Sequence, residues 1–332
     1  MKTIRMNLKE NSYDIILGQS LLAKAGKFLN LDRKVLIITD DGVPEDYARI
    51  VAGQSKEARI VTFKNGEASK NIETWSMCLR QAADFKMNRK DVVVAIGGGV
   101  VGDLAGFVAA TYMRGVDFYN IPTTTLSQID SSIGGKVAVD LDGLKNTVGS
   151  FYQPKRVLID IDTLKTLPAR QFNNGLVEAI KTGLIGDSEL YGMFEKYDAR
   201  KSIEEIIYRS LLFKKKVVEI DEKETGLRKI LNYGHTIGHA IETFSNGDLL
   251  HGEAVGIGMI KISENKEYKE RLIRLLTKYD LPIDYEYDKD AVYEILTHDK
   301  KGKGETIDVI TLKKIGEAKI TTVNTEVLKE LL

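Results

Sequence analysis

Short β-branched runs alternate with helical patterns through the first half of the chain. Val35–Thr39 (VLIIT) is an unbroken apolar run that stops at Asp40-Asp41-Gly42, the pattern of a strand buried on both faces. Ala58–Phe63 (ARIVTF) is a second run. Between residues 71 and 85 the spacing turns helical, with Ile72, Trp75, Leu79 and Ala82 or Ala83 on one face. Val92–Ile96 (VVVAI) runs straight into Gly97-Gly98-Gly99, and Phe118–Ile121 is followed by Pro122. Strands separated by helical segments predict a parallel sheet with crossovers. From about Pro168 the pattern changes. Long helical stretches dominate, among them Ser202–Ile220 and Gly252–Lys266, and a late TIDVITL run predicts a strand or small hairpin. The chain thus reads as an α/β part followed by a mainly helical part, with a boundary near residues 150–165.

Composition narrows the classes. The 332 residues suffice for two domains, and 43% hydrophobic with 29% charged is ordinary for a globular protein. Lys plus Arg and Asp plus Glu are both 48, so no basic excess points to nucleic acid. Cys78 is the single cysteine, which excludes an intramolecular disulfide and a cysteine-based zinc site. The N-terminus lacks the apolar core of a signal peptide. The most apolar stretch, Val92–Ala110, is rich in glycine and broken by Asp103, so it is no membrane span. The expectation is a cytoplasmic protein with neither nucleic acid nor membrane as partner.

Two polar clusters follow strands. The first is Gly97-Gly98-Gly99-Val-Val-Gly102-Asp103, which opens a helix. Glycines there let backbone N–H groups approach a diphosphate, and a helix N-terminus favours an anion. The spacing is not GxGxxG, and a tight strand–helix junction explains the segment equally well. The second cluster is Thr123-Thr124-Thr125, then Asp130-Ser-Ser-Ile-Gly-Gly-Lys136, then Lys145-Asn146. Hydroxyls, glycines and lysines in loops at strand C-termini suit a phosphate-bearing ligand.

Three of the four histidines, His235, His239 and His251, lie in one short run; the fourth is His298. His235 and His239 are spaced i, i+4, so on a helix they share a face and could ligate one metal. HTIGH lacks the Glu of HExxH. Two histidines and a carboxylate would leave a position open for substrate. The carboxylate candidates are Glu242, Glu253 and the distant Glu178, which has Lys181 one turn away.

The blocks GGGVVGDLAGFVAATYMRG, IPTTTLSQIDSSIGGKVAVD, KNTVGSFYQP, GLVEAIKTGLI, DEKETGLRKILNYGHTIGHAIE, LLHGEAVGIGM and DKKGKG resemble, in order, those of the 3-dehydroquinate synthases, a branch of the sugar-phosphate cyclases. The resemblance implies an α/β fold. A Rossmann-like NAD-binding domain (1–160) would precede a mainly helical metal and substrate domain (161–332), with the active site in the cleft between them and a homodimer as the assembly. It implies Glu178, His235 and His251 as ligands of one divalent metal, zinc or cobalt, with His239 a neighbouring active-site partner. Asp130, Lys136, Asn146, Lys181, Lys214, Arg228, Asn232 and Lys300 or Lys301 would line the pocket of a sugar phosphate, and Arg114 would reach its phosphate from the other subunit. Asp40, Glu67, Lys70, Gly98, Gly99, Asp103, Thr123, Thr124, Lys136, Lys145 and Thr166 would serve NAD. Thr163 and Gln171 stand where relatives often carry Phe and Glu.

The implied reaction converts 3-deoxy-D-arabino-heptulosonate 7-phosphate to 3-dehydroquinate in the shikimate pathway. NAD-mediated oxidation at C5 is transient; phosphate elimination, reduction and an intramolecular aldol closure follow. The rivals are a sister cyclase of the inosose or valiolone type and a metal-dependent polyol dehydrogenase, which would release NADH.

Overall fold

The structure is a computed structural model that describes residues 1–298 and 306–332. The chain contacts divide it into two compact units, Met1–Pro168 and Ala169–Leu332.

The N-terminal unit is built on one seven-stranded sheet. Its strands are β1 (Lys2–Met6), β2 (Tyr13–Gly18), β3 (Lys34–Asp40), β4 (Glu57–Phe63), β5 (Val92–Gly97), β6 (Asp117–Pro122) and β9 (Arg156–Asp160). The order is β1-β2-β9-β6-β5-β3-β4, and every pair is parallel except β1 with β2. The helices are the short α1 (Ala25–Phe28), α2 (Glu45–Ala52), α3 (Ile72–Asp84) and α4 (Gly99–Thr111). Alternation explains the unbroken apolar runs. Leu36, Ile38, Val93 and Ala95 pack into a core with α3 and α4, while Val35, Ile37, Val92, Val94 and Ile96 pack into a second core with α1 and α2. Asn71 caps α3 by accepting the Thr74 amide at 2.8 Å. The strands β1, β2 and β9, and the hairpin of β7 (Lys136–Leu141) and β8 (Leu144–Phe151), add to those expected from the sequence: β2 and β9 carry short buried apolar runs, whereas β8 is almost wholly exposed.

The order of the strands locates a crevice. From β3 the chain crosses through α2 to β4 on one side, then returns to β5 on the other side of β3 and proceeds to β6. The direction of winding therefore reverses between β3 and β5. Ligands of open α/β sheets bind at such a point, outside the strand C-termini. Asp40 ends β3 there and Gly97 ends β5, and Thr39 Oγ1 donates to Ile96 O at 2.8 Å.

The C-terminal unit is mainly helical: α5 (Ala169–Gly186), α6 (Ser188–Lys196), α7 (Ile203–Ile220), α8 (His235–Ser245), α9 (His251–Ile262), α10 (Lys266–Lys278), α11 (Lys289–His298) and α12 (Thr325–Leu331). A hairpin of β10 (Thr306–Lys314) and β11 (Glu317–Asn324) accounts for the late strand run. The helix expected over 252–266 is α9, which stops four residues short of that bound. It ends at Ile262, and Asn265 starts the next by accepting the Tyr268 amide at 3.1 Å. No helix among the described residues is long and apolar enough to cross a membrane.

Candidate metal centre and nucleotide crevice

In the C-terminal unit, α5, α8 and α9 bring a carboxylate and three imidazoles together. Glu178 on α5 is buried, and its Oε1 lies 3.5 Å from His235 Nε2 and 3.6 Å from His251 Nε2. Those separations are long for hydrogen bonds. They match the spacing of about 3.4 Å between ligands held tetrahedrally at about 2.1 Å from one ion. Neither Glu178 oxygen has a hydrogen-bond partner, although Lys181 Nζ makes an ion pair with Oε2. A buried carboxylate left in that state suits a cation between it and the two imidazoles.

Each of these two imidazoles is oriented by its other nitrogen. His235 Nδ1 lies 3.1 Å from the Tyr233 carbonyl, and His251 Nδ1 lies 3.0 Å from Glu242 Oε2. Both contacts call for the Nδ1–H tautomer, which turns the Nε2 lone pairs toward Glu178. Burial alone would raise the Glu178 carboxyl, but Lys181 and the two imidazoles hold it well below the usual carboxylate range. Burial, then Lys181, push His235 well below its ordinary value and keep it neutral. For His251, burial is outweighed by Glu178 and Glu242, which lift it to about 9. Either a proton or a metal ion can balance the carboxylates around it.

The close approach of α8 and α9 makes this grouping possible. Gly234 takes φ +78° at the start of α8. A Cβ on Gly258 would sit 2.1 Å from Gly234 O, and one on Gly238 would sit 2.9 Å from Ala254 O. Glycine at these positions lets the two backbones touch, which places the His235 and His251 rings 5.3 Å apart. His239 is exposed, with its ring 5.0 Å from that of His235 and 5.5 Å from that of His251. One ring nitrogen from each of the three histidines lies within 4.8 Å of the others. Glu178 lies against His235 and His251, while His239 joins the two imidazoles from the exposed side.

Glu242 and Glu253 have separate work: Glu242 meets His251 Nδ1, whereas Glu253 pairs with Arg170. Replacing Glu242 with Ala is expected to weaken divalent-metal binding about 10- to 100-fold, as loss of an orienting carboxylate commonly does, and Glu242→Gln to weaken it less. Competition with a chelator measures both.

Other substrate candidates lie on neighbouring segments of the same unit. Lys214 is buried on α7 and Arg228 is buried on the 227–232 turn, which packs against α5 and α7. Asp221 organises the loop between them, accepting from the amides of Thr225, Gly226 and Arg228; these backbone donors outweigh burial and lower its carboxyl to about 2. Arg228 Nη1 donates to Glu222 O. Asn232 Nδ2 donates to Glu224 Oε1 at 2.7 Å, which adds a carboxylate that the sequence reading missed. Only its place in DEKETG could have signalled it. Lys300 and Lys301 lie outside the described residues.

In the N-terminal unit the two polar clusters meet. A Cβ on Gly98 would lie 3.1 Å from Thr124 Cγ2, and one on Gly99 would lie 3.2 Å from Ser131 Oγ. Thr123 N donates to Gly97 O at 2.9 Å. Packing explains part of the glycine run, since a Cβ on Gly97 would strike Val101 at 2.5 Å. Packing does not explain the polar groups around the run. The N-terminus of α4 has no side-chain cap, and Thr125, Ser131 and Ser132 carry buried hydroxyls without hydrogen-bond partners. Open amides and orphaned hydroxyls at the crevice fit the diphosphate of a dinucleotide. Asp130 lies on a turn of π-helix, Ser127–Ser131, beside this run.

Lys70 ties further candidates together. It is buried, with Nζ 2.6 Å from Asp103 Oδ2, 2.5 Å from Asn146 Oδ1 and 3.7 Å from Glu67 Oε1. Burial disfavours its charge, but Asp103 and Glu67 prevail and raise it. Asp40 is buried and accepts the Gly42 amide. Lys136, Lys145 and Arg114 are exposed, and Thr166 is exposed beside the Tyr47 hydroxyl at 2.9 Å. Thr163 is buried and receives Gln128 Nε2 at 3.0 Å, so the site of this departure is filled by a polar contact.

The family model described as 3-dehydroquinate synthase N-terminal matches residues 60–174, and that described as 3-dehydroquinate synthase C-terminal matches 175–302. A 3-dehydroquinate synthase of Lactococcus lactis subsp. cremoris (strain MG1363) is 42% identical over 99% of both chains. The chain belongs to the 3-dehydroquinate synthase family. Among solved structures, a 2-deoxy-scyllo-inosose synthase complexed with carbaglucose-6-phosphate, NAD+ and Co2+ has a TM-score of 0.90 at 28% identity, covering 99% of each chain. A 2-epi-5-epi-valiolone synthase from Streptomyces hygroscopicus subsp. jinggangensis 5008, with NAD+ and Zn2+ bound, has a TM-score of 0.87 at 27% identity, covering 98% of this chain and 97% of that one. The sister cyclases thus share the fold, while sequence identity sets this chain with the dehydroquinate synthases.

Proposed function

We propose that the protein converts 3-deoxy-D-arabino-heptulosonate 7-phosphate to 3-dehydroquinate and phosphate. The observation that carries this reading is the convergence of Glu178, His235 and His251 in a chain of this family. When bound, NAD supplies a reversible acceptor for the C5 hydride, and a divalent ion acidifies the C5 hydroxyl and polarises the ketone. Glu178, His235 and His251 hold the ion, and Lys181 offsets the charge of Glu178. His239, exposed beside the ligands, moves the proton of the C5 hydroxyl. Lys214, Arg228, Asn232, Asp130, Lys136 and Asn146 bind the substrate, and the cations among them favour its phosphate dianion. The crevice residues Asp40, Gly98, Gly99, Asp103, Thr123 and Thr124 bind NAD.

The assembly we propose is a homodimer in the cytoplasm. Strand β8 offers an exposed edge with Leu144 and Phe151 open to solvent. Exposed Met113 and Arg114 both hold left-handed backbone, at φ +50° and +68°, a costly conformation that suits a tip ordered by a partner. Arg114 would supply a phosphate contact to the other subunit.

The decisive assay incubates the protein with NAD+, cobalt or zinc, and the heptulosonate phosphate. Phosphate release with dehydroquinate formation and no net NADH is expected. Net NADH from a simple polyol would make the protein a dehydrogenase. Phosphate release from glucose 6-phosphate or sedoheptulose 7-phosphate alone would make it a sister cyclase.

A further inference from the structure

We infer that Arg170, Asn174 and Glu253 are positioning residues that set the separation of Glu178 from His251; the inference rests on these two being metal ligands. Arg170, Asn174 and Glu178 are spaced by four along α5, so they form a stripe on one face of that helix. The first two grip the start of α9, and the third meets His251, the first residue of α9. Asn174 is buried, and its Oδ1 accepts from Gly252 N at 2.7 Å and Glu253 N at 3.2 Å. Glu253, also buried, accepts from Leu250 N at 2.8 Å through Oε2. Its two oxygens take Arg170 Nε and Nη2, both at 2.7 Å, and Nη2 also donates to Asp248 O at 2.7 Å.

The amides of residues 250, 252 and 253 are groups that a helix start leaves without intrahelical partners. Here they are all satisfied by α5 or by a carboxylate fastened to it. They flank His251 on both sides, so its backbone is anchored to the helix that carries Glu178. The fit is close: a Cβ on Gly252 would lie 2.1 Å from Asn174 O. A helix packed on another by apolar contacts alone could slide by an ångström, enough to spoil a coordination sphere that tolerates about 0.2 Å. Two polar anchors on α5, Arg170 and Asn174, set four residues apart, oppose that sliding.

The test compares cobalt binding to the full-length protein and its variants by chelator competition and by the visible absorption of bound cobalt. NAD affinity and thermal stability serve as controls. Asn174→Ala is expected to lose roughly 10- to 100-fold in cobalt affinity with an altered spectrum, NAD affinity being unchanged. Asn174→Asp, which keeps the acceptor, is expected to restore most of the affinity and the parent spectrum. Arg170 is 58% exposed in its side chain, so Arg170→Met is expected to fold and to lose several-fold, and it carries the test if Asn174→Ala does not fold. Parent affinity and spectrum in both Asn174→Ala and Arg170→Met would overturn the inference, as would equal losses in Asn174→Ala and Asn174→Asp. Failure of the unmodified protein to bind cobalt would instead overturn the reading of the centre itself, and this inference with it.

Discussion

His251→Ala is expected to lose the bound divalent ion, whereas His239→Ala is expected to keep the ion and lose turnover. The two rings are neighbours, with centroids 5.5 Å apart, so proximity does not distinguish them. Their surroundings do. His251 presents Nε2 to the buried Glu178 and has Nδ1 held by Glu242, the arrangement of a ligand with its orienting carboxylate. His239 is exposed, which suits a group that exchanges protons with substrate. Loss of a ligand should exceed the roughly 10- to 100-fold loss typical of an orienting partner. Loss of a general acid or base should cost about 10²- to 10⁴-fold in kcat. Metal content after dialysis, read beside kcat with saturating metal, measures both. Retention of metal by His251→Ala with loss in His239→Ala would reverse the assignment.

The second large effect is structural. Gly258→Ala is expected to destabilise the C-terminal unit and weaken metal binding together. The added Cβ would fall 2.1 Å from the backbone oxygen of Gly234, the residue that leads into α8, and its nearest neighbours are all backbone atoms, with no flexible side chain to yield. Overpacking of this kind costs about 1–3 kcal/mol or more, and each kcal/mol lowers Tm by roughly 2–4 °C in a unit of this size. Because His235 and His251 ride on the two helices being forced apart, metal affinity should fall in the same variant. Gly192→Ala on α6 is the control: nothing lies within 4 Å of its Cβ, so alanine there should raise stability by about 0.5–1 kcal/mol and leave metal binding alone. Thermal melts with and without cobalt read all of these effects. A Gly258→Ala protein that melts and binds like the parent would refute the close-packing argument.

Much of the fold was legible because its strands are buried on both faces. VLIIT and VVVAI announce themselves as runs, and their bounds move by only a residue or two in β3 and β5. The hairpin of β7 and β8 left no such mark: β8 buries almost nothing, and its residues read as loop. The helix read over 252–266 overran its end at Ile262 for a local reason. Asn265 is an ordinary polar residue until its side chain is seen capping α10.

At the metal centre, spacing along the chain favoured His235 with His239, because i, i+4 residues share a helix face. That inference is sound for one helix. It is silent about a second helix that arrives from elsewhere. Residue types, glycine-flanked histidines and a carboxylate with a lysine one turn away were all present in the amino-acid sequence. With the family blocks, they were enough to indicate an α/β enzyme that combines a dinucleotide with a divalent metal. The tertiary structure decided how the carboxylates divide their roles: Glu178 toward the imidazoles, Glu242 behind His251, and Glu253 in the clasp with Arg170. The physical reason is that a side chain's role depends on which atoms surround it. Those atoms come from α5, α8 and α9, brought together by glycine contacts and buried hydrogen bonds across 83 positions of chain.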